Sequence, residues 1–234
     1  VVNIDDKNTE ELLNLKKNTI TYGIENKNAM VQARNITLSD FGYPSFDCYV
    51  NNEYLDTFNL KVFGKHNVLN ALATIAMCLN YNISSDIIKN TLKDFTGVGR
   101  RFEYLGTYNE AHIFDDFAHH PTEIWSTYNS AKRIKHNETW AVFQSHTYSR
   151  TVEHLEDFAD VLSKFDHVII SDIYPAREEN IWNVKESDLV NLISKKNKNV
   201  LHIPNFQDIA LYLKNNIKEN DLVITIGAGP VNKV

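Results

Sequence analysis

From about residue 111 onward the chain repeats one phrase: a short, almost wholly apolar run, a polar stretch, then a segment whose apolar residues recur every three or four positions. The apolar runs fall at 112–117, 140–144, 167–173, 199–203 and 221–226, and the periodic segments at 121–134, 151–165, 187–194 and 206–217. Strands without polar alternation must be covered on both faces, a condition met when parallel strands are joined by crossover helices. The pattern predicts an α/β unit built on a doubly wound, mostly parallel, Rossmann-like sheet. Pro121 at the first position of one helix suits its missing N–H. Val152, Leu155, Ala159 and Leu162 form the expected inward stripe of another.

The first part of the chain follows a different rule. Residues 19–23, 30–36 and 45–50 alternate with period two, and Asn51-Asn52 reads as a hairpin turn before 53–57. A strongly apolar helix is predicted at 67–80 and a second at 85–94, with Ser84 or Ser85 as N-cap. Gly97 and Gly99 then loosen the backbone just before Arg100-Arg101, a pair too costly to bury without anions. A domain boundary is expected there, giving a β-rich and helical domain over 1–97 and the α/β domain over 98–234.

At 43% hydrophobic and 23% charged residues the 234-residue chain has globular composition. Its net charge of −6 offers no basic footprint for nucleic acid, and Lys195-Lys196-Asn197-Lys198 is read as solvated surface. Cys48 and Cys78 stand far apart without a CxxC partner, which argues against a disulfide scaffold or zinc finger and for reduced thiols in a cytoplasmic protein. No apolar run approaches 18 residues, so no membrane partner is expected. The opening Val1–Asp6 has no signal-peptide character and reads as a strand from the middle of something larger.

In a doubly wound sheet, ligands bind beyond the carboxyl ends of the strands. Three successive strands here end in Asp115-Asp116-Phe117-Ala118-His119-His120, Gln144-Ser145-His146-Thr147-Tyr148-Ser149-Arg150 and Asp172-Ile173-Tyr174-Pro175-Ala176-Arg177-Glu178. The first cluster admits three readings: His120 as a helix cap beside solvated carboxylates, a metal site of a phosphoesterase, or a nucleotide and substrate edge with Asp116 on the ribose. Arg150 and His146 precede a helix N-terminus and would converge on an anion. Earlier in the chain, Gly64-Lys65-His66-Asn67 opens a helix on which Asn67 and Asn70 share a face and could present amides to an adenine edge. Gly227-Ala228-Gly229 after the last strand is a weak signal, and there is no GxxxxGK(S/T) phosphate loop, HExxH or GxSxG in the chain.

Taken together, Gly64-x-His66-Asn67-Val68-Leu69-Asn70-Ala71-Leu72, Gly97-Val98-x-Arg100-Arg101-Phe102, Asp115 through Glu123, Gln144-x-His146-Thr147-Tyr148-Ser149-Arg150-Thr151, Asp172-Ile173-Tyr174-x-Ala176-Arg177-Glu178 and Gly227-Ala228-Gly229 resemble the Mur ligases of bacterial peptidoglycan synthesis. The Gln144–Thr151 run is similar to the branch that joins L-alanine to UDP-N-acetylmuramate, and differs from the ligase that recycles murein tripeptide. Phe117, Ser145 and Pro230 depart from the commoner Tyr, Pro and Asp of that branch. The resemblance implies the second part of a central ATPase domain followed by most of a C-terminal domain, with the UDP-binding domain, the phosphate loop and the main Mg2+ ligands upstream and a last helix downstream. It also implies ATP as cofactor, an acyl phosphate intermediate, and closure of the C-terminal domain about the glycine hinge. Under it His66, Asn67 and Asn70 serve the adenine, Asp116 the ribose, and Arg100 phosphate or ribose, while His119, His146 and Arg150 take the amino-acid carboxylate or neighbouring anions. No metal ligand is expected within the chain, and the chain by itself is expected to be inactive.

Overall fold

Asn51 and Asn52 both adopt positive φ, 50° and 68°, the conformation of a two-residue hairpin loop whose twist matches its strands. The turn joins two strands of the first of two compact units, Val1–Gly97 and Val98–Val234, in a computed structural model that describes residues 1–13, 18–39 and 41–234. In the first unit β1 (Val2–Asn3) precedes a short helix α1 (Glu10–Leu13), then β2 (Thr21–Gly23), β3 (Val31–Leu38), β4 (Pro44–Val50) and β5 (Glu53–Asn59) follow. They form one sheet in sequence order, parallel from β1 to β3 and antiparallel from β3 to β5. Helix α2 (Lys65–Asn80) buries Val68, Leu72 and Ile75 with Phe46, Cys48 and Phe58 of the sheet, and α3 (Ser85–Asp94) adds Ile88. Ser84 holds the N-cap position of α3 in extended conformation without a side-chain cap bond. Both cysteines are free, and burial pushes the Cys48 thiol up to about 12, the behaviour of a packed, unreactive group.

The second unit contains β6 (Glu103–Tyr108), β7 (Ala111–Asp116), α4 (Pro121–Ala131), β8 (Thr139–Phe143), α5 (Tyr148–Glu153), α6 (Leu155–Leu162), β9 (His167–Ile170), α7 (Glu186–Ser194), β10 (Val200–His202), α8 (Phe206–Asn216), β11 (Leu222–Ile226) and a closing 3-10 turn, Pro230–Lys233. Its six-stranded sheet has the order β10-β9-β8-β11-β7-β6, parallel throughout except for the edge strand β6. Every residue of β8 and β11 is buried, as their mostly apolar character requires, and the one threonine in each bonds its hydroxyl to a carboxylate. Trp140, Val142, Ile169 and Val223 meet Ile209 and Leu213 of α8 in one core cluster, while Phe143 packs on Phe158 of α6 at 5.2 Å between ring centroids.

In the second unit two elements differ from expectation. The antiparallel β6 leaves no strand signal in the sequence: its residues are half-buried or exposed, so it lacks the apolar run of the inner strands, and its pairing shifts register between Tyr104 and Gly106. The single helix expected over 151–165 is two helices, which part at His154 (φ −117°, ψ 22°). The break turns Val152 outward, and the inward stripe is carried by Phe158, Ala159, Val161 and Leu162. Among the described residues no helix is long and apolar enough to cross a membrane.

Candidate functional site

Register fixes the site before any side chain is considered. Ile226 pairs with Asp116 on one side and Phe143 on the other, so β7, β11 and β8 end level with one another. The chain leaves β11 through Gly227, whose N–H donates to the Asp116 carbonyl, while the Gln144 N–H donates to the Ile226 carbonyl. Beyond β8 and β9 the pairing continues, with the Tyr174 N–H on the Ser145 carbonyl and the Thr147 N–H on the Tyr174 carbonyl. Loops from adjacent strands are thereby clamped into one rim at the carboxyl edge.

On that rim His119, His146 and Arg150 come together. Arg150 Nη1 lies 3.3 Å from His146 Nδ1, and the His119 and His146 rings are 6.2 Å apart, with Tyr174 5.5 Å beyond His146. Thr147, between His146 and the helix, takes φ 70° and ψ 147°, a conformation costly for a β-branched residue. Its hydroxyl caps α5 by accepting from the Arg150 N–H, and its carbonyl accepts from the Thr151 hydroxyl at 2.6 Å. Glu178 from the β9 loop accepts from both the N–H and the hydroxyl of Ser149, and these two hydrogen bonds hold its carboxyl below the usual range. The His146 imidazole is lowered from its ordinary value by burial first, then by the charges of Arg150 and His119. A neutral imidazole beside a permanent guanidinium can accept a proton from an ammonium while the arginine holds a carboxylate.

A proton titration of His146 by NMR is expected to fall below 6.5 and to rise toward that value in Arg150→Ala. Because the folded value is depressed, His146 contributes stability that is fully present above the unfolded value. That contribution is lost as pH falls from there through the folded value. An unshifted titration in the wild type would remove the electrostatic coupling.

The acidic half of the rim is occupied from within. Asp115 is buried, with one oxygen on Arg100 Nε at 2.7 Å and the other on the Thr225 hydroxyl at 2.6 Å. Asp116 accepts from the Ala118 N–H and the Thr127 hydroxyl, and burial pushes its carboxyl upward against those two hydrogen bonds. His120 caps α4, its Nδ1 accepting from the Thr122 N–H at 3.3 Å, and Glu123 accepts from the N–H groups of His119 and His120. The His119 Nδ1 sits 2.9 Å from the Phe117 carbonyl. Among the described residues Asp115, Asp116, His119 and His120 do not gather at metal-ligand spacing.

The adjacent arginines have different fates. Arg100, at φ 60°, turns its guanidinium inward to Asp115 and to the Gly227 carbonyl at 2.7 Å. Arg101 is exposed and lies 5.7 Å over the Phe117 ring, on the same side of the rim as Asp116 and Glu123, whose carboxyls its charge stabilises. Arg101 is the more exposed of the two, while Arg100, 24% exposed, spends Nε and Nη2 on Asp115 and the Gly227 carbonyl.

In the first unit, Gly64 at φ 89° brings the chain into α2. A Cβ there would stand 2.8 Å from the His66 ring, so glycine sets the entry. Asn67 Nδ2 donates to the Phe63 carbonyl, and Asn70 Nδ2 donates to Asn67 Oδ1 at 3.0 Å. The two amides act as a linked pair on one helix face, with Asn70 exposed.

Residues 1–78 match the family described as the Mur ligase middle domain, and residues 100–229 match the Mur ligase, glutamate ligase domain. The chain is 44% identical over 231 residues to UDP-N-acetylmuramate–L-alanine ligase of Caldanaerobacter subterraneus subsp. tengcongensis, with 98% of this chain and 50% of that one covered. It is 43% identical over 235 residues to the enzyme of the same name from Clostridium novyi, with 100% and 51% covered. The chain thus spans about half the length of the curated relatives it matches. Among solved structures, the UDP-N-acetylmuramate–alanine ligase of Thermotoga maritima shares the fold at a TM-score of 0.74 and 23% identity, covering 96% of this chain and 48% of that one.

Proposed function

Since the chain belongs to the Mur ligase family, we propose that it supplies the later half of an ATP-dependent ligase that joins L-alanine to UDP-N-acetylmuramate in the bacterial cytoplasm. The observation that carries this is the gathering of His119, His146 and Arg150 on one rim in a chain whose similar relatives bear that name.

In such a ligase the substrate carboxylate takes the γ-phosphoryl group of ATP, and the alanine amine then displaces phosphate. Arg150 binds the alanine carboxylate, and by turning to it releases the lone pair of His146 Nδ1, which then takes a proton as the amine attacks. His119 and the exposed Arg101 offset negative charge at the same rim, where positioning and electrostatics do most of the catalytic work. Asn67 and Asn70, with His66, serve the adenine. Asp116, whose oxygens each retain a second lone pair, meets the ribose. Arg100, whose Nη1 is not used by Asp115 or the Gly227 carbonyl, faces phosphate or ribose. Mg2+ belongs with the triphosphate, and its ligands are expected mainly in the part of the ligase outside these 234 residues.

The decisive experiment compares the full-length protein with these 234 residues. The full-length protein is expected to form the amide from L-alanine, UDP-N-acetylmuramate and ATP with release of ADP and phosphate. The 234-residue chain is expected to hydrolyse no ATP. Failure of the full-length protein to use L-alanine, or robust ATP hydrolysis by the shorter chain, would refute the proposal.

A further inference from the structure

Away from the rim cluster of His119, His146 and Arg150, three side chains from separate segments converge. Asp172 lies just past β9, Glu186 is the first residue of α7, and His202 is the last residue of β10. One ligand atom from each lies within 4.8 Å of the other two, and His202 Nε2 is 2.9 Å from Asp172 Oδ1. Glu186 is held in place by the Ile173 N–H, which donates to Oε1 at 3.1 Å. Among the described residues no lysine or arginine pairs with either carboxylate, and His202 is the sole ion-pair partner of Asp172. Two unneutralised carboxylates and an imidazole at such separations have the donor composition and reach of a first-row divalent metal site, with solvent-side positions open for water. The imidazole disfavours Mg2+ and Ca2+, which take oxygen ligands.

We propose that Asp172, Glu186 and His202 form a binding site for a divalent transition-metal ion, with zinc as the probe. Its position gives it a mechanical meaning. Asp172 and Glu186 bracket residues 173–185, so an ion shared between them closes the base of that loop and fastens it to the end of β10. Clipping the two ends of a loop removes part of its closure entropy and restricts its excursions. The loop carries Tyr174, beside His146, and Glu178, whose carboxylate holds Ser149 next to Arg150. The exposed Ile181 and Trp182 stand on its outer part. The metal site stands independently of the ligase assignment.

Titrating the chelator-treated protein with Zn2+ by calorimetry is expected to show one site per chain. Affinity should fall about tenfold or more in each of Asp172→Asn, Glu186→Gln and His202→Gln. These residues are exposed or half-buried, so folded variants are expected, and their unfolding curves check this. In hydrogen exchange, zinc should protect residues 173–185 in the wild type and not in His202→Gln. A wild type without a stoichiometric zinc site, or a His202→Gln protein with wild-type zinc affinity, would overturn the proposal. Unchanged loop protection despite binding would overturn the clip.

Discussion

Arg100→Ala is expected to destabilise the second unit by about 3–5 kcal/mol, the range seen when one partner is removed from a buried ion pair. Asp115 is 1% exposed, and among the described residues Arg100 is its one ion-pair partner, at 2.7 Å. The Thr225 hydroxyl remains after the substitution and satisfies one oxygen, which leaves the charge itself without compensation. The same guanidinium bonds the Gly227 carbonyl, so the change also frees the exit from β11. Arg101→Ala next door should leave stability within about 0.5 kcal/mol, because surface changes of this kind cost little. Its effect should appear in nucleotide affinity of the full-length protein. Denaturant unfolding of the two variants is the direct comparison, and equal stabilities would show that the guanidinium roles are not divided in this way.

Gly227→Ala carries the other large penalty, about 3 kcal/mol. Gly227 has φ 151°, where side chains are strained, and a Cβ would stand 2.6 Å from the backbone carbonyl oxygen of Gln144. That oxygen belongs to the first residue past β8 and cannot swing aside without disturbing the level ends of β7, β11 and β8. Gly229 is also crowded, but there the nearest atom is the side-chain oxygen of Gln144, which can move. Gly229→Ala should therefore cost less than Gly227→Ala, and the reverse order in thermal unfolding would contradict this account of the rim.

Much of this architecture is legible in the residues because burial on both faces leaves a plain mark. Leu222–Ile226 and Thr139–Phe143 can be little else than central strands. The edge strand β6 leaves no such mark, since Glu103–Tyr108 covers little and mixes polar with aromatic residues. The break at His154 is equally silent, with no glycine or proline to announce it; it lies in the backbone alone, at φ −117° and ψ 22°. The convergence of His119, His146 and Arg150 was legible from strand ends alone. What sequence could not supply was occupancy: which carboxylates and which arginine are already spent on each other. That depends on the positive φ of Arg100 and on pairings more than 100 residues apart, such as Asp115 with Thr225. The Asp172–Glu186–His202 group was hidden for a similar reason, because its members lie on three separate segments that the β9–β10 pairing and the Ile173–Glu186 hydrogen bond bring together.

The two borders of the six-stranded sheet bear on how concentrated solutions of the protein behave. One border, β10, is only three residues long, and the other, β6, is interrupted by its slipped register. Neither offers a straight, unbroken ladder of amide groups onto which a stray chain could add itself, and short or kinked margins are a common guard against such growth. The sheet most central to this unit is thereby shielded from fibrous self-association by geometry at its margins.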